Sequence, residues 1–298
     1  MPAPIDRRTF LRGTVAAAGG AALATGAWAW RVAPYAVEIV ERPLPIDALP
    51  PTLRGARLVQ LSDLHVGPVV DDDYLRDVFA RVTARRADIV AITGDFLTHR
   101  TSRGESQYAQ LRDLLSTLPH GRLATVAVLG NHDYGPGWSD HDVARRVQRE
   151  VERAGVQLLR NEVATVAGFD IVGVDELWAR TADPGLALAK RSREGAIALC
   201  HNPDALDALA WPEWRGWILA GHTHGGQCRL PFLPPPVLPV RNPRYAAGEV
   251  TLADGRRLYV NRGIGHTIPV RFNVPPEITV FTLVEGRGDG RPPAGPER

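Results

Sequence analysis

The 298-residue chain carries 35 basic and 33 acidic side chains, a formal charge of +2, with 44% hydrophobic and 23% charged residues. Arg7, Arg8, Arg12 and Asp6 all fall in the first twelve positions, so the remainder is formally neutral and nothing in its charge argues for a nucleic-acid partner. Cys200 and Cys228 lack the CxxC spacing of a zinc site and read as two free, half-buried thiols.

The amino terminus is compositionally distinct. Asp6-Arg7-Arg8-Thr9-Phe10-Leu11-Arg12 precedes an uncharged Ala/Gly-rich run from Gly13 to Trp30, which contains the small-x-small triplet Ala27-Trp28-Ala29. This pattern predicts a twin-arginine-type export signal over residues 1–30, placing the protein in the periplasm or on the outer face of the cytoplasmic membrane. The run is at the lower limit for spanning a bilayer, so an uncleaved, membrane-anchored form is the alternative. Residues 31–55, with five prolines, read as an extended linker, 56–285 as the folded domain, and the Gly/Pro/Arg-rich 286–298 as a disordered tail.

Arg57 to Leu61 is the first predicted strand, ending in Ser62-Asp63-Leu64-His65. Asp71 to Arg86 has helical periodicity behind an acidic cap, and Asp88 to Ile92 is an apolar run, buried on both faces, that ends in Thr93-Gly94-Asp95. A helix from Gln107 to Leu118 and a strand from Leu123 to Leu129 follow, with Gly130-Asn131-His132-Asp133 at the strand's end. After a helix from Asp140 to Ala154 come closely spaced strands at 156–159, 163–167 and 169–174, where a second sheet is expected to begin. A strand from Ala196 to Cys200 leads into His201, with a short helix from Pro203 to Ala210. Gly216 to Ala220 leads into Gly221-His222-Thr223-His224-Gly225-Gly226-Gln227. Residues 229–248 hold too many prolines for a helix or inner strand, and strands at 257–261 and 278–284 are expected to close the second sheet.

Five apolar strands therefore end in Asp63 with His65, Asp95, Asn131 with His132, His201, and His222 with His224. Ligands of open α/β sheets bind at the carboxyl edge, where side chains from different strands converge. Residues at i and i+2 of an extended segment face one way, so Asp63 pairs with His65 and His222 with His224. Mixed carboxylate oxygen and imidazole nitrogen suit a divalent metal.

The ordered set D-x-H, G-D, G-N-H-D, a strand-terminal H and G-H-x-H, spanning Asp63 to His224, resembles the calcineurin-like metallophosphoesterases. Gly225-Gly226-Gln227 and Tyr259-Val260-Asn261-Arg262-Gly263-Ile264-Gly265 are similar to the exported bacterial branch. The resemblance implies a four-layer α/β/β/α sandwich of two mixed β-sheets flanked by helices. It also implies two divalent ions, one on Asp63, His65, Asp95 and His224, the other on Asp95, Asn131, His201 and His222, with Asp95 as bridge. His132 would not ligate but act as general acid or transition-state donor beside the substrate. Hydrolysis would proceed by in-line attack of a metal-bridging hydroxide on a phosphate ester. Manganese or iron is favoured for the nitrogen/oxygen donor set, with zinc the third option.

For the substrate, phosphodiesters are favoured over monoesters and pyrophosphates, with envelope or lipid-linked compounds in view. The apolar, proline-rich stretch 230–240 reads as a lid over the sheet edge or as a contact for a lipid tail or membrane surface. Arg241, Arg244, Arg262 and Arg271 are candidate phosphate contacts, Arg262 foremost. Tyr134 and Trp138 form a cleft wall or sit in the core. The competing class is a metal-binding scaffold or envelope-binding protein of the same fold without significant hydrolysis.

Overall fold

The computed structural model describes residues 6–98 and 104–286, so the tail expected to be disordered lies outside the described residues beyond Gly286. Short runs rich in Val, Ile and Leu form the strands of the first sheet: β1 (Glu38–Ile46), β2 (Arg57–Leu61), β3 (Ile89–Thr93), β4 (Ala124–Val128) and β5 (Gln157–Leu158). The second sheet is made of β6 (Glu162–Val166), β7 (Phe169–Gly173), β8 (Ala196–Leu199), β9 (Trp217–Ala220), β10 (Gly248–Thr251) and β11 (Arg257–Val260). The last strand, β12 (Glu277–Glu285), returns to the first. The resulting strand orders are β1-β12-β2-β3-β4-β5 and β10-β11-β9-β8-β7-β6. Both sheets are mixed: β2 to β5 run parallel beside an antiparallel β12, and β7, β8, β9 and β11 run parallel between antiparallel β6 and β10.

Alternation along each strand divides the apolar side chains between two faces. Ile89 and Ala91 point into the space between the sheets, where they meet Ile197, Leu199, Trp217 and Leu219. Val90 and Ile92 point outward onto Leu75, Val78 and Phe79 of α2 (Asp72–Thr83), Leu111 and Leu114 of α3 (Glu105–Leu115) and Val147 of α4 (His141–Arg153). On the far side, Ile218 and Leu258 pack with Leu206, Trp211 and Trp214. Each fully buried Leu or Ile contributes roughly 1.5–3 kcal/mol, so three such layers account for the four-layer α/β/β/α sandwich.

Two strands lie in the other sheet from the one expected. Gln157–Leu158 pairs with β4, and Glu277–Glu285 inserts between β1 and β2. Pairing across a chain reversal is set by distant partners, which period-2 patterning does not encode. The segment 31–55 is likewise more than a linker, because Glu38–Ile46 is an edge strand parallel to β12. Pro43 and Pro45 are tolerated there because an edge strand has one side free of ladder bonds.

The amino-terminal segment is one helix, here α1 (Arg7–Arg31), started by Asp6, whose carboxylate accepts from the backbone N–H groups of Arg8 and Thr9. Only Ala29 within it is buried, and there the helix docks: Arg271 N donates to Ala29 O at 2.9 Å, and Trp28 meets Phe272 edge-on. No helix among the described residues is long and apolar enough to cross a membrane. That finding overturns the localisation expected from residues 1–30, whose alanines and glycines supply too little apolar surface per turn.

Candidate metal centre

All seven expected ligands lie just beyond the carboxyl ends of parallel strands. Strands β2, β3 and β4 of the first sheet lead into Asp63 and His65, Asp95, and Asn131; β8 and β9 of the second lead into His201 and His222 with His224. Their convergence follows a different backbone route from the extended spacing inferred above. Asp63, His65, Asp95, His222 and His224 have φ of 54°, 52°, 57°, 73° and 49°. Left-handed backbone is disfavoured for residues with a Cβ, and its clustering at one site is typical of functional centres. Hydrogen bonds from Asp63 N to Gly94 O (2.9 Å) and His65 N to Asp95 O (3.0 Å) hold these turns to one another.

The donor atoms gather at two foci. At the first, His65 Nε2 and His224 Nε2 are 3.0 Å apart, with Asp63 Oδ1 3.3 Å from His224 Nε2. At the second, Asn131 Oδ1 lies 3.1 Å from His201 Nε2 and 2.9 Å from His222 Nδ1. Asp95 Oδ2 stands between them, 3.6 Å from His65 Nε2 and 3.3 Å from His201 Nε2. Its other oxygen accepts from His132 N at 2.9 Å, which leaves Oδ2 facing both foci.

The tautomers fit metal binding. His201 Nδ1–H donates to Thr93 O at 2.7 Å, so its Nε2 is the nitrogen left for a metal; His222 Nε2–H donates to Pro239 O at 3.0 Å, so its Nδ1 is. Burial holds His65 and His224 well below the ordinary imidazole range, hence neutral, and pushes His222 down to about 3. Burial also raises Asp63 to about 7. Burial opposes charge on His201, but Asp95 foremost, with Asp63 and Glu176, outweighs it and raises that imidazole to about 10, so the Nε2 lone pair becomes available only when a cation at the second focus displaces the proton held there. Carboxylate and imidazole lone pairs packed this closely without sulfur, and almost wholly buried, constitute a donor set for two divalent cations.

His132 lies at the edge of this cluster. Its ring is edge-on to His65 with centroids 4.8 Å apart, and tilted against Trp138 at 4.7 Å. It faces a cleft of about 460 Å³ that continues past Trp178, Val237, Ile268 and Val270, walls that are mostly apolar. Asp133 fixes the turn below by accepting from the backbone N–H groups of Gly130, Phe96 and Leu97.

Other expected residues lie elsewhere. Arg262 is engaged by Glu277 (2.5 Å) and Glu38 (2.8 Å) and does not line the cleft. Sequence offered no sign of those partners, because Glu38 lies in the segment read as a linker. Arg244 donates to Thr251 O, away from the cleft. Tyr134 is a core residue, its hydroxyl bonded to Asp175, while Trp138 is a cleft wall. Cys200 and Cys228 are both free, the first fully buried.

Two contributors, Pro239 and Trp178, were not foreseen, and a third, Arg271, was expected at the phosphate but lies buried behind the cleft instead. Pro239 O orients His222, so the proline-rich loop reaches the metal centre itself. Trp178 meets His222 edge-on at 4.6 Å. Arg271 is wholly buried, donates to the carbonyls of Val274, Arg262, Gly263 and Gly265, and touches His224 Nδ1 at 3.4 Å. An arginine in a weakly patterned loop carries no sequence signal of burial.

A family model described as calcineurin-like phosphoesterase matches residues 56–226. Phosphodiesterase YaeI of Escherichia coli is 31% identical over 232 residues, covering 76% of this chain and 82% of its own. The uncharacterized metallophosphoesterase YkuE of Bacillus subtilis is 32% identical over 293 residues, covering 94% and 98%. UDP-2,3-diacylglucosamine pyrophosphatase LpxG of Chlamydia trachomatis is 28% identical over 282 residues, covering 77% and 84%.

Proposed function

This chain belongs to the calcineurin-like phosphoesterase family, a metal-dependent hydrolase with a two-metal cluster, and from that premise we propose that its substrates are phosphodiesters. The observation that carries the reading is the position of Asp95 Oδ2, within 3.6 Å of one imidazole and 3.3 Å of another at separate foci. One ion is assigned to Asp63, His65, Asp95 and His224, the other to Asp95, Asn131, His201 and His222. Manganese or iron suits these donors best, with zinc the alternative.

Bound ions supply Lewis acidity and an activated water at neutral pH. The chain's own residues do the rest. Asp95 fixes the spacing of the foci, its second oxygen tied to His132 N. His132 stands where the cleft meets the centre and donates a proton to the departing oxygen, while Trp138 limits the rotation of its ring. The apolar walls exclude water and give one ester substituent a place to lie, which favours a diester carrying an acyl, alkyl or aryl group over a bare monoester. The name of YaeI, a phosphodiesterase, lies in the same direction, whereas LpxG is named a UDP-2,3-diacylglucosamine pyrophosphatase.

The test is metal analysis of the purified chain together with hydrolysis of bis(p-nitrophenyl) phosphate and p-nitrophenyl phosphate. Two metals per chain and faster turnover of the diester are expected. A chain with two metals that hydrolyses only the monoester refutes the diester assignment.

A further inference from the structure

A second chamber, about 520 Å³, lies beyond Trp178 and shares both Trp138 and Trp178 with the metal cleft. The two indole rings are 5.9 Å apart, and Trp178 is the ring that meets the candidate ligand His222, so the chamber opens beside the reacting centre. Its charged lining is Arg180, Arg241, Asp204 and Asp207. We infer that this chamber binds an anionic substituent of the substrate, a second phosphate or a carboxylate, through Arg180 and Arg241. The inference rests on the phosphoesterase reading above and adds to it a subsite and a substrate asymmetry.

The carboxylates are turned to the protein. Asp204 accepts from Arg241 N at 2.7 Å and Asn242 N at 3.3 Å, and Asp207 accepts from the Tyr245 hydroxyl and Asn242 Nδ2, both at 2.8 Å. The two guanidinium groups are not so engaged. Neither Arg180 nor Arg241 has a side-chain hydrogen bond or ion pair among the described residues, whereas arginines such as Arg112, Arg160 and Arg262 are held by carboxylates. Both guanidinium groups are nonetheless presented from fixed backbone. Arg180 has a left-handed φ of 58°, and its N–H donates to Leu177 O at 3.1 Å in a turn where Glu176 accepts from Ala179 N at 2.8 Å. Arg241 follows Pro239, whose carbonyl holds His222.

A guanidinium offers a planar fork of donors matched to phosphate and carboxylate oxygens, and bonds between charged partners are about twice as strong as neutral ones. A phosphoester seated at the metal centre therefore has two different exits: an apolar one toward Val237 and Ile268, and a cationic one around Trp178. The substrate that uses both is amphipathic, with a hydrophobic group on one side of the scissile phosphate and an additional anion on the other.

Two synthetic p-nitrophenyl phosphodiesters test this, their second arm ending either in a hydroxyl or in a phosphate. The metal-loaded full chain is expected to prefer the phosphate-ended ester in kcat/KM. In Arg180→Ala/Arg241→Ala that preference should fall about 10- to 100-fold, mostly through KM, and Arg→Lys at both positions should restore part of it. An unchanged preference in the double variant, or no preference in the wild type, overturns the inference while hydrolysis of both esters upholds the parent reading. Hydrolysis of neither ester by the two-metal wild type brings down the phosphoesterase reading itself.

Discussion

Gly130→Ala isolates the contribution of Asp95. Gly130 has φ −104° and ψ 175°, backbone that alanine adopts freely, so the substitution carries no conformational penalty of its own. A Cβ there would lie 2.1 Å from Asp95 Oδ1, 2.4 Å from Asp95 N and 2.7 Å from Asp95 Cγ. These atoms must part by roughly 1 Å, a displacement that can lower turnover about 10²-fold when it moves a catalytic group. Overpacking adds about 1–3 kcal/mol of lost stability, or roughly 2–12 °C in Tm for a domain of this size. Gly121→Ala is the control, because its Cβ would meet Ala124 O at 2.2 Å and Asp88 O at 2.7 Å, at the amino ends of β3 and β4, opposite the carboxyl ends that lead to Asp95 and Asn131. Thermal unfolding, metal analysis and bis(p-nitrophenyl) phosphate turnover on both variants separate the effects. Both should lose stability, and only Gly130→Ala should lose metal and turnover. Wild-type metal content and turnover in Gly130→Ala, or equal metal loss in both, would refute the reasoning.

Asp95→Asn, which removes the charge shared by the two foci, should leave fewer than two metals per chain by elemental analysis. His132→Ala should keep both metals while kcat falls about 10²- to 10⁴-fold, and a drop in metal content would contradict its assignment as an acid. Chelation should lower Tm by about 5–10 °C, restored by added metal, since ligand at a hundred times Kd contributes about 2.7 kcal/mol. His266 is buried beside Arg271, and burial, then that cation, hold its folded pKa at about 4. The unfolded chain therefore takes up the proton first as pH falls below about 6.5, and stability is lost between there and about 4. Urea unfolding should show His266→Gln losing about 2 kcal/mol less than wild type between pH 7 and pH 5.

The convergence of the seven candidate donors was legible because each is announced locally: an apolar run, then Asp, Asn or His at its end. The helices α2, α3 and α4 were legible from period and caps to within a few residues. Sheet membership of Gln157–Leu158 and Glu277–Glu285 was not, since the partners that decide it lie far away in sequence. The short α5 (Pro184–Ala189) and strand Gly248–Thr251 escaped notice because a few residues carry too little periodicity. Pro239, Trp178 and Arg271 act on histidines only through tertiary contact. Residues 1–30 misled because a basic head and an Ala/Gly run describe composition, whereas spanning a bilayer needs apolar area.

The seven proposed donors are divided between the layers: Asp63, His65, Asp95 and Asn131 extend from the first sheet, His201, His222 and His224 from the second. Neither half can complete either coordination sphere by itself. Cations lodged there would fasten one slab to the other at their shared rim, and their departure would loosen the seam where Gln60 Nε2 now reaches across to Ala220 O at 2.9 Å. Hydrogen exchange at that rim would thus report occupancy directly, without any turnover being measured.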